Sequence, residues 1–234
     1  TLARVTAQGA ASSEKLVYKP VFEALRQGLA DVMTPGFREA LKAMGLNFEK
    51  LDPGYPYPLF EKVVLEAAKL FTDRSQPDAV AEVGRRLALA TVDQNPVGKH
   101  LLPLLRVMST GKALRRVYSR STGENYNEVS FGAETPKSLE MNMTDVGNIP
   151  DMALGSIFGM GDAIGLKLRA KIIWFEAPKV RYLIESQTLY MPGETPCFPP
   201  AVMIQEAGGV AATVEAGLAA VATRMAKSGT LPSS

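Results

Sequence analysis

The period of the apolar residues changes near residue 124, and that change restricts the fold more than any motif does. Before it, apolar side chains recur at three and four residues, the spacing of one helix face. Val21, Leu25 and Leu29 do so in KPVFEALRQGLADVM, where Pro20 suits a first turn; Phe37, Leu41 and Met44 do so in TPGFREALKAMG. The second of these also carries Thr34 as N-cap, Pro35 at the first helical position and Gly45 as a stop. LFEKVVLEAAKLF, PDAVAEVGRRLALATV, VGKHLLPLLRVM and GKALRRVYSRS continue the helical series, with Pro103 expected to bend or break the third. NFEKLDPGYPYP, rich in Pro, reads as an irregular loop.

Beyond the change, alternation takes over. ENYNEVSFG reads as a strand, and KSLEMNMTDV puts Leu139, Met141 and Met143 on one face and Glu140, Asn142 and Thr144 on the other. A helical stretch, PDMALGSIFGMGDAIG, follows. LKLRAKIIWFE then places Leu166, Leu168, Ala170, Ile172 and Trp174 on one side, and after the turn EAPK, VRYLIES groups Val180, Tyr182 and Ile184. Helices first and strands later predict an α+β fold: an N-terminal helical half followed by a β-β-α-β-β antiparallel sheet half. Residues 1–14 read as a flexible tail, 15–188 as a single α+β domain, 189–200 as a Pro-rich linker, 201–227 as an added Ala-rich C-terminal helix and 228–234 as a tail. Ala207, Ala211, Val214, Leu218, Val221 and Met225 lie near one stripe of that added helix, a face expected to bind a protein partner, a sister chain or its own domain.

Composition narrows the chemistry. A net charge of +2 gives no reason to expect nucleic acid. One cysteine, Cys197, excludes an intrachain disulfide framework, and one histidine, His100, excludes a His–His metal site within the chain. No uncharged run is long enough to span a membrane, and the first residues lack the apolar core of a signal peptide, so a cytoplasmic protein is expected. GMGDAIG, with Gly159, Gly161 and Gly165, has neither the spacing nor the strand-to-helix context of a dinucleotide loop and reads as a helix C-cap and turn. No Gly-Lys-Ser/Thr, no Gly-x-Ser-x-Gly elbow and no evident carboxylate pair occurs, so no catalytic or metal site is assigned and an enzyme is not expected.

The densest cationic cluster is Arg106, Lys112, Arg115, Arg116 and Arg120. Arg116 and Arg120, with Asn125 and Tyr126 from the helix-to-strand junction and His100 upstream, form the candidate ligand-binding set; a solvated basic face is the plainer reading of the same cations. No cofactor is predicted. Haem, through His100, and lipid are the occupants left open.

KLVYKPVFEAL, LKAMGLNFEKLDPGYPYPLFEKVV, VGRRLALATVDQNPVGKHLLPLLRVMSTGKALRRV and above all STGENYNEVSF resemble a large paralogous family of uncharacterised myxobacterial proteins, catalogued as a domain of unknown function, over about residues 15–188. PDMALGSIFGMGDAIG followed by two strands fits the same family. Its order of elements is similar to the ligand-binding fold shared by haem–nitric-oxide sensors, four-vinyl-reductase-type domains and vesicle-tethering subunits. The resemblance implies a fold and no activity. The haem sensors' Tyr-x-Ser-x-Arg signature is absent, since YSRST at 118–122 has the wrong spacing. The expected function is a non-enzymatic small-molecule-binding or sensory module with an apolar pocket between helices and sheet. The alternative is a structural or adaptor subunit, in a homo-oligomer or with another protein, docking through its C-terminal arm and helix.

Overall fold

The computed structural model describes residues 15–94, 103, 105, 107–121, 128–186 and 189, with the backbone alone at 119–121. They form an α+β fold of six helices and two antiparallel sheets. The chain divides into two compact units, one of residues 1–102 and 146–164, the other of 103–145 and 165–234. The predicted tails, the 201–227 helix and most of VGKHLLPLLRVM lie outside the described residues.

The first unit is helical. It opens with β1 (Leu16–Tyr18), then α1 (Lys19–Gly28), α2 (Pro35–Ala43), β2 (Gly54–Pro56), α3 (Tyr57–Ala68) and α4 (Gln76–Gln94). In α2 the Thr34 hydroxyl accepts the Phe37 N–H at 3.1 Å, Pro35 opens the helix, and Gly45 follows it with φ +87°. Each cap sits where the sequence puts it. NFEKLDPGYPYP is not wholly irregular: its Gly54–Pro56 pairs antiparallel with Leu16–Tyr18. Two strands of three residues are too short to leave an alternation in the sequence. The core gathers Phe22, Leu25, Leu29, Phe60, Val63 and Val64, all at most 3% exposed. Phe22 sits edge-on to Tyr55 and Phe60, with ring centroids at 4.9 and 5.8 Å. Burying a side chain of that size stabilises the fold by about 1.5–3 kcal/mol.

The last helix of this unit arrives late in the chain: it spans Pro150–Ile164. Sequence order alone places it in the β-β-α-β-β half; it packs against α4. Glycines explain how. A Cβ on Gly84 would collide with the Met152 carbonyl, one on Gly155 with the Ala81 carbonyl, and one on Gly159 with the Arg85 carbonyl. The two backbones are thus in direct contact. Ser156 donates to the Gly84 carbonyl at 3.3 Å and Arg85 Nε to Asp162 Oδ2 at 2.6 Å, fixing the register along the seam. GMGDAIG is therefore only partly a cap. Gly159 and Gly161 are buried inside the helix, and Gly165, at φ +74°, ends it. Burial and the charge of Asp78 push the Asp151 carboxyl above its ordinary range at the helix start.

The second unit holds a helix, Thr110–Ser121, and a four-stranded antiparallel sheet of β3 (Val129–Glu134), β4 (Ser138–Met143), β5 (Arg169–Glu176) and β6 (Lys179–Glu185), in the order β3-β4-β6-β5. Leu139, Met141 and Met143 of β4 pair with Ile184, Tyr182 and Val180 of β6, and all six are buried on one face, as alternation predicts. Two bulges break that alternation. In β3 the register shifts between Phe131, opposite Met141, and Glu134, opposite Leu139. In β5 it shifts between Ile172, opposite Tyr182, and Trp174, opposite Arg181. Trp174 therefore leaves the face of Ile172 and joins Arg181, whose guanidinium lies 5.9 Å from its ring. Leu166 and Leu168 precede the strand. Among the described residues no helix is long and apolar enough to cross a membrane.

Candidate functional site

The polar chemistry of the sheet unit concentrates at the β3–β4 end. There the β3 bulge turns Glu134 onto the buried face, and the Thr110–Ser121 helix meets it with Arg115. The guanidinium pairs with Glu134 through Nη2 and Oε2, and its Cζ lies 4.5 Å from the centroid of Phe131. Both partners are buried, Arg115 at 9% and Glu134 at 1% side-chain exposure. Glu134 Oε1 has no hydrogen-bond partner. One turn further along the helix, burial pushes the Tyr118 hydroxyl well above its ordinary pKa, so it stays protonated.

Immediately beyond Glu134 the chain turns through Thr135–Ser138. The Thr135 N–H donates to the Ser138 carbonyl at 2.8 Å, and Thr135 Oγ1 accepts from the Lys137 and Ser138 N–H groups at 3.2 and 2.9 Å. Pro136 in the turn presets its φ. Ser186, just past β6, ties this turn to the segment entering β5. Its N–H donates to the Lys137 carbonyl at 3.0 Å and its hydroxyl to the Lys167 carbonyl at 3.2 Å. The segments so joined border an open cleft of about 1180 Å³, lined by Thr110 from the helix start, Lys137 and Ser138, Gly165 to Arg169, and Glu185 and Ser186. Among the described residues, Lys137, Lys167 and Arg169 bring three positive charges to it against the one carboxylate of Glu185.

Of the residues singled out in the sequence, Arg116 lies exposed on the Thr110–Ser121 helix, and Arg120 lies on the same helix with its backbone alone described. His100, Asn125 and Tyr126 lie outside the described residues, as do Ala207, Ala211, Val214, Leu218, Val221 and Met225. Arg115, one of the cationic cluster but not of the candidate set, is the arginine that meets the sheet. The helical period separates it from Arg116 by about 100°. Lys137, Lys167 and Arg169 were not singled out. They are distant in sequence, and the sheet register is what brings Lys137 near Arg169: β4 and β5 both flank β6, whose Glu185 pairs with Ser138 and with Arg169.

A family model described as a protein of unknown function (DUF2378) matches residues 15–185. No curated protein matches the chain. Several solved structures share its fold. One is a doubly substituted H-NOX domain designated Tt, 14% identical with a TM-score of 0.56, covering 76% of this chain and 100% of that one. A second is an oxygen-binding H-NOX domain related to soluble guanylate cyclases, in its oxygen complex, 14% identical with a TM-score of 0.54 and the same two coverages. A third is a single-site variant of the Fe(II) unliganded H-NOX protein of K. algicida, 13% identical with a TM-score of 0.53, covering 72% and 96%. At such identities the likeness is one of fold.

The single imidazole of the chain, His100, is outside the described residues, and no cluster of three His, Cys, Asp or Glu side chains suited to a metal occurs among them. Among the described residues of the sheet unit, the buried Arg115 already faces the protein's own carboxylate, Glu134. What the matched residues do establish is kinship: over residues 15–185 the chain belongs to the DUF2378 family of proteins of unknown function.

Proposed function

We propose that this protein is a non-enzymatic small-molecule-binding sensory module whose ligand sits in the cleft of the sheet unit. The observation that carries this reading is the cleft itself. At about 1180 Å³ it has room for a small organic molecule. Its walls come from separate segments that Ser186 holds together by two hydrogen bonds, so the site needs little ordering on binding. Thr110, the first residue of its helix, lines the cleft, and Arg115 on that helix meets Glu134 beside the turn. A ligand that binds one setting of this helix better than another shifts the population toward it, which is all a sensor requires.

A native mass spectrum of the protein as purified, beside a denaturing one, is the first test. The expected result is an added mass that denaturation removes and that a cleft-filling Ser138→Trp variant lacks. A bare protein whose melting temperature no member of a metabolite panel raises would sink the proposal. The adaptor reading draws on one observation: Ile173 and Phe175 are exposed on β5, an edge strand of the sheet among the described residues. A bare multimer in the native spectrum would favour it.

A further inference from the structure

We infer that the ligand of this cleft is a phosphorylated small molecule of about nucleotide size, an inference that rests on the cleft being the binding site. Several arginines elsewhere in the described chain have acidic partners. Arg74, Arg85 and Arg86 all approach the buried Glu82, at 3.4, 3.6 and 2.8 Å, and Arg115 has Glu134. Lys137, Lys167 and Arg169 differ. None of the three makes an ion pair or a side-chain hydrogen bond with another described residue. Arg169 even stands opposite Glu185 in the strand register without forming an ion pair with it. These three exposed cations border one concavity whose described lining holds a single acid, Glu185. Concave walls focus their field and attract an anion.

The donor types narrow the anion. An arginine fork matches two oxygens of one phosphate, and two lysines supply point charges for a neighbouring phosphate. Both lysines sit on segments whose carbonyls Ser186 anchors, so their backbones are fixed before a ligand arrives. The volume exceeds what inorganic phosphate fills, and the half-buried Leu166 and Leu168 offer an apolar wall to the body of the ligand. An acidic peptide is less well served. It would add to an open strand edge, whereas the turn and the β6 exit at the cleft already bond to each other.

Titration calorimetry on the full chain, with pyrophosphate and ATP as probes at low and high salt, tests this. Both are expected to bind, ATP more tightly, and high salt to weaken both. Arg169→Gln should weaken ATP about tenfold, the loss of one charge-assisted contact. The triple variant Lys137→Gln, Lys167→Gln, Arg169→Gln should show no binding, while Lys50→Gln and Lys62→Gln, on exposed lysines of the helical unit, should leave it unchanged. No heat from either probe, or equal affinity in the triple variant, overturns the inference. So does an oligoglutamate peptide that binds more tightly than ATP. An uncharged molecule recovered by native mass spectrometry and excluded by Ser138→Trp would discard the phosphate and keep the binding function; absence of any ligand would discard both.

Discussion

Glu134 shows how much can depend on a single residue's facing. A carboxylate at 1% exposure is stable only beside its counter-charge, and Arg115 supplies it. Arg115→Met should therefore destabilise the protein by about 3–5 kcal/mol, because it leaves a buried charge unpaired. Replacing both partners, Arg115→Met with Glu134→Leu, should recover most of that loss. Urea denaturation of the two variants and the wild type measures it, and a double variant no better than the single one would refute the account. Little of this was legible in the sequence. Strict alternation from Phe131 sends Glu134 outward, and the bulge that reverses it leaves no mark that periodicity can read. Arg115 and Arg116 are likewise equivalent in composition, and only the packed helix tells them apart.

At the scale of elements, the helices were legible wherever one face is apolar and the ends are marked. Thr34, Pro35 and Gly45 bracket their helix in sequence and in space. The β4 and β6 strands were legible for the same reason, one buried face each. The pairing of α4 with the Pro150–Ile164 helix was not, because its signal is the lack of side chains on Gly84, Gly155 and Gly159. Glycine in a helix ordinarily lowers its stability; here it permits two backbones to touch. Gly155→Val should thus cost more than the 1–3 kcal/mol or so typical of overpacking, since the obstacle is the Ala81 backbone and not a side chain that could turn away. Thermal unfolding monitored by circular dichroism would show it. A melting temperature within a degree or so of the wild type would mean that the seam is looser than described.

At the scale of the molecule, the chain leaves the helical unit after residue 102, returns at 146 and leaves again at 164. Neither unit is a continuous stretch of sequence. A fragment of residues 15–102 contains α4 without its principal partner and should not fold cooperatively alone. Adding a peptide of residues 146–164 should restore helical structure, as followed by far-ultraviolet circular dichroism. A fragment that unfolds cooperatively without the peptide would contradict this. The segregation of helices and strands along the sequence revealed the fold class but concealed this return, because an amphipathic pattern does not name the surface it covers.

The glycine seam also bears on synthesis. Gln94 ends α4, and the helix that covers it begins only at Pro150, 150 − 94 = 56 residues later. At roughly 5–20 residues per second, translation leaves the face of α4 around Gly84 without its mate for about 3–11 s. During that interval the nascent chain displays an adhesive stripe that only its own later residues fit closely, and a chaperone bound there would have to leave before the second helix could lie down.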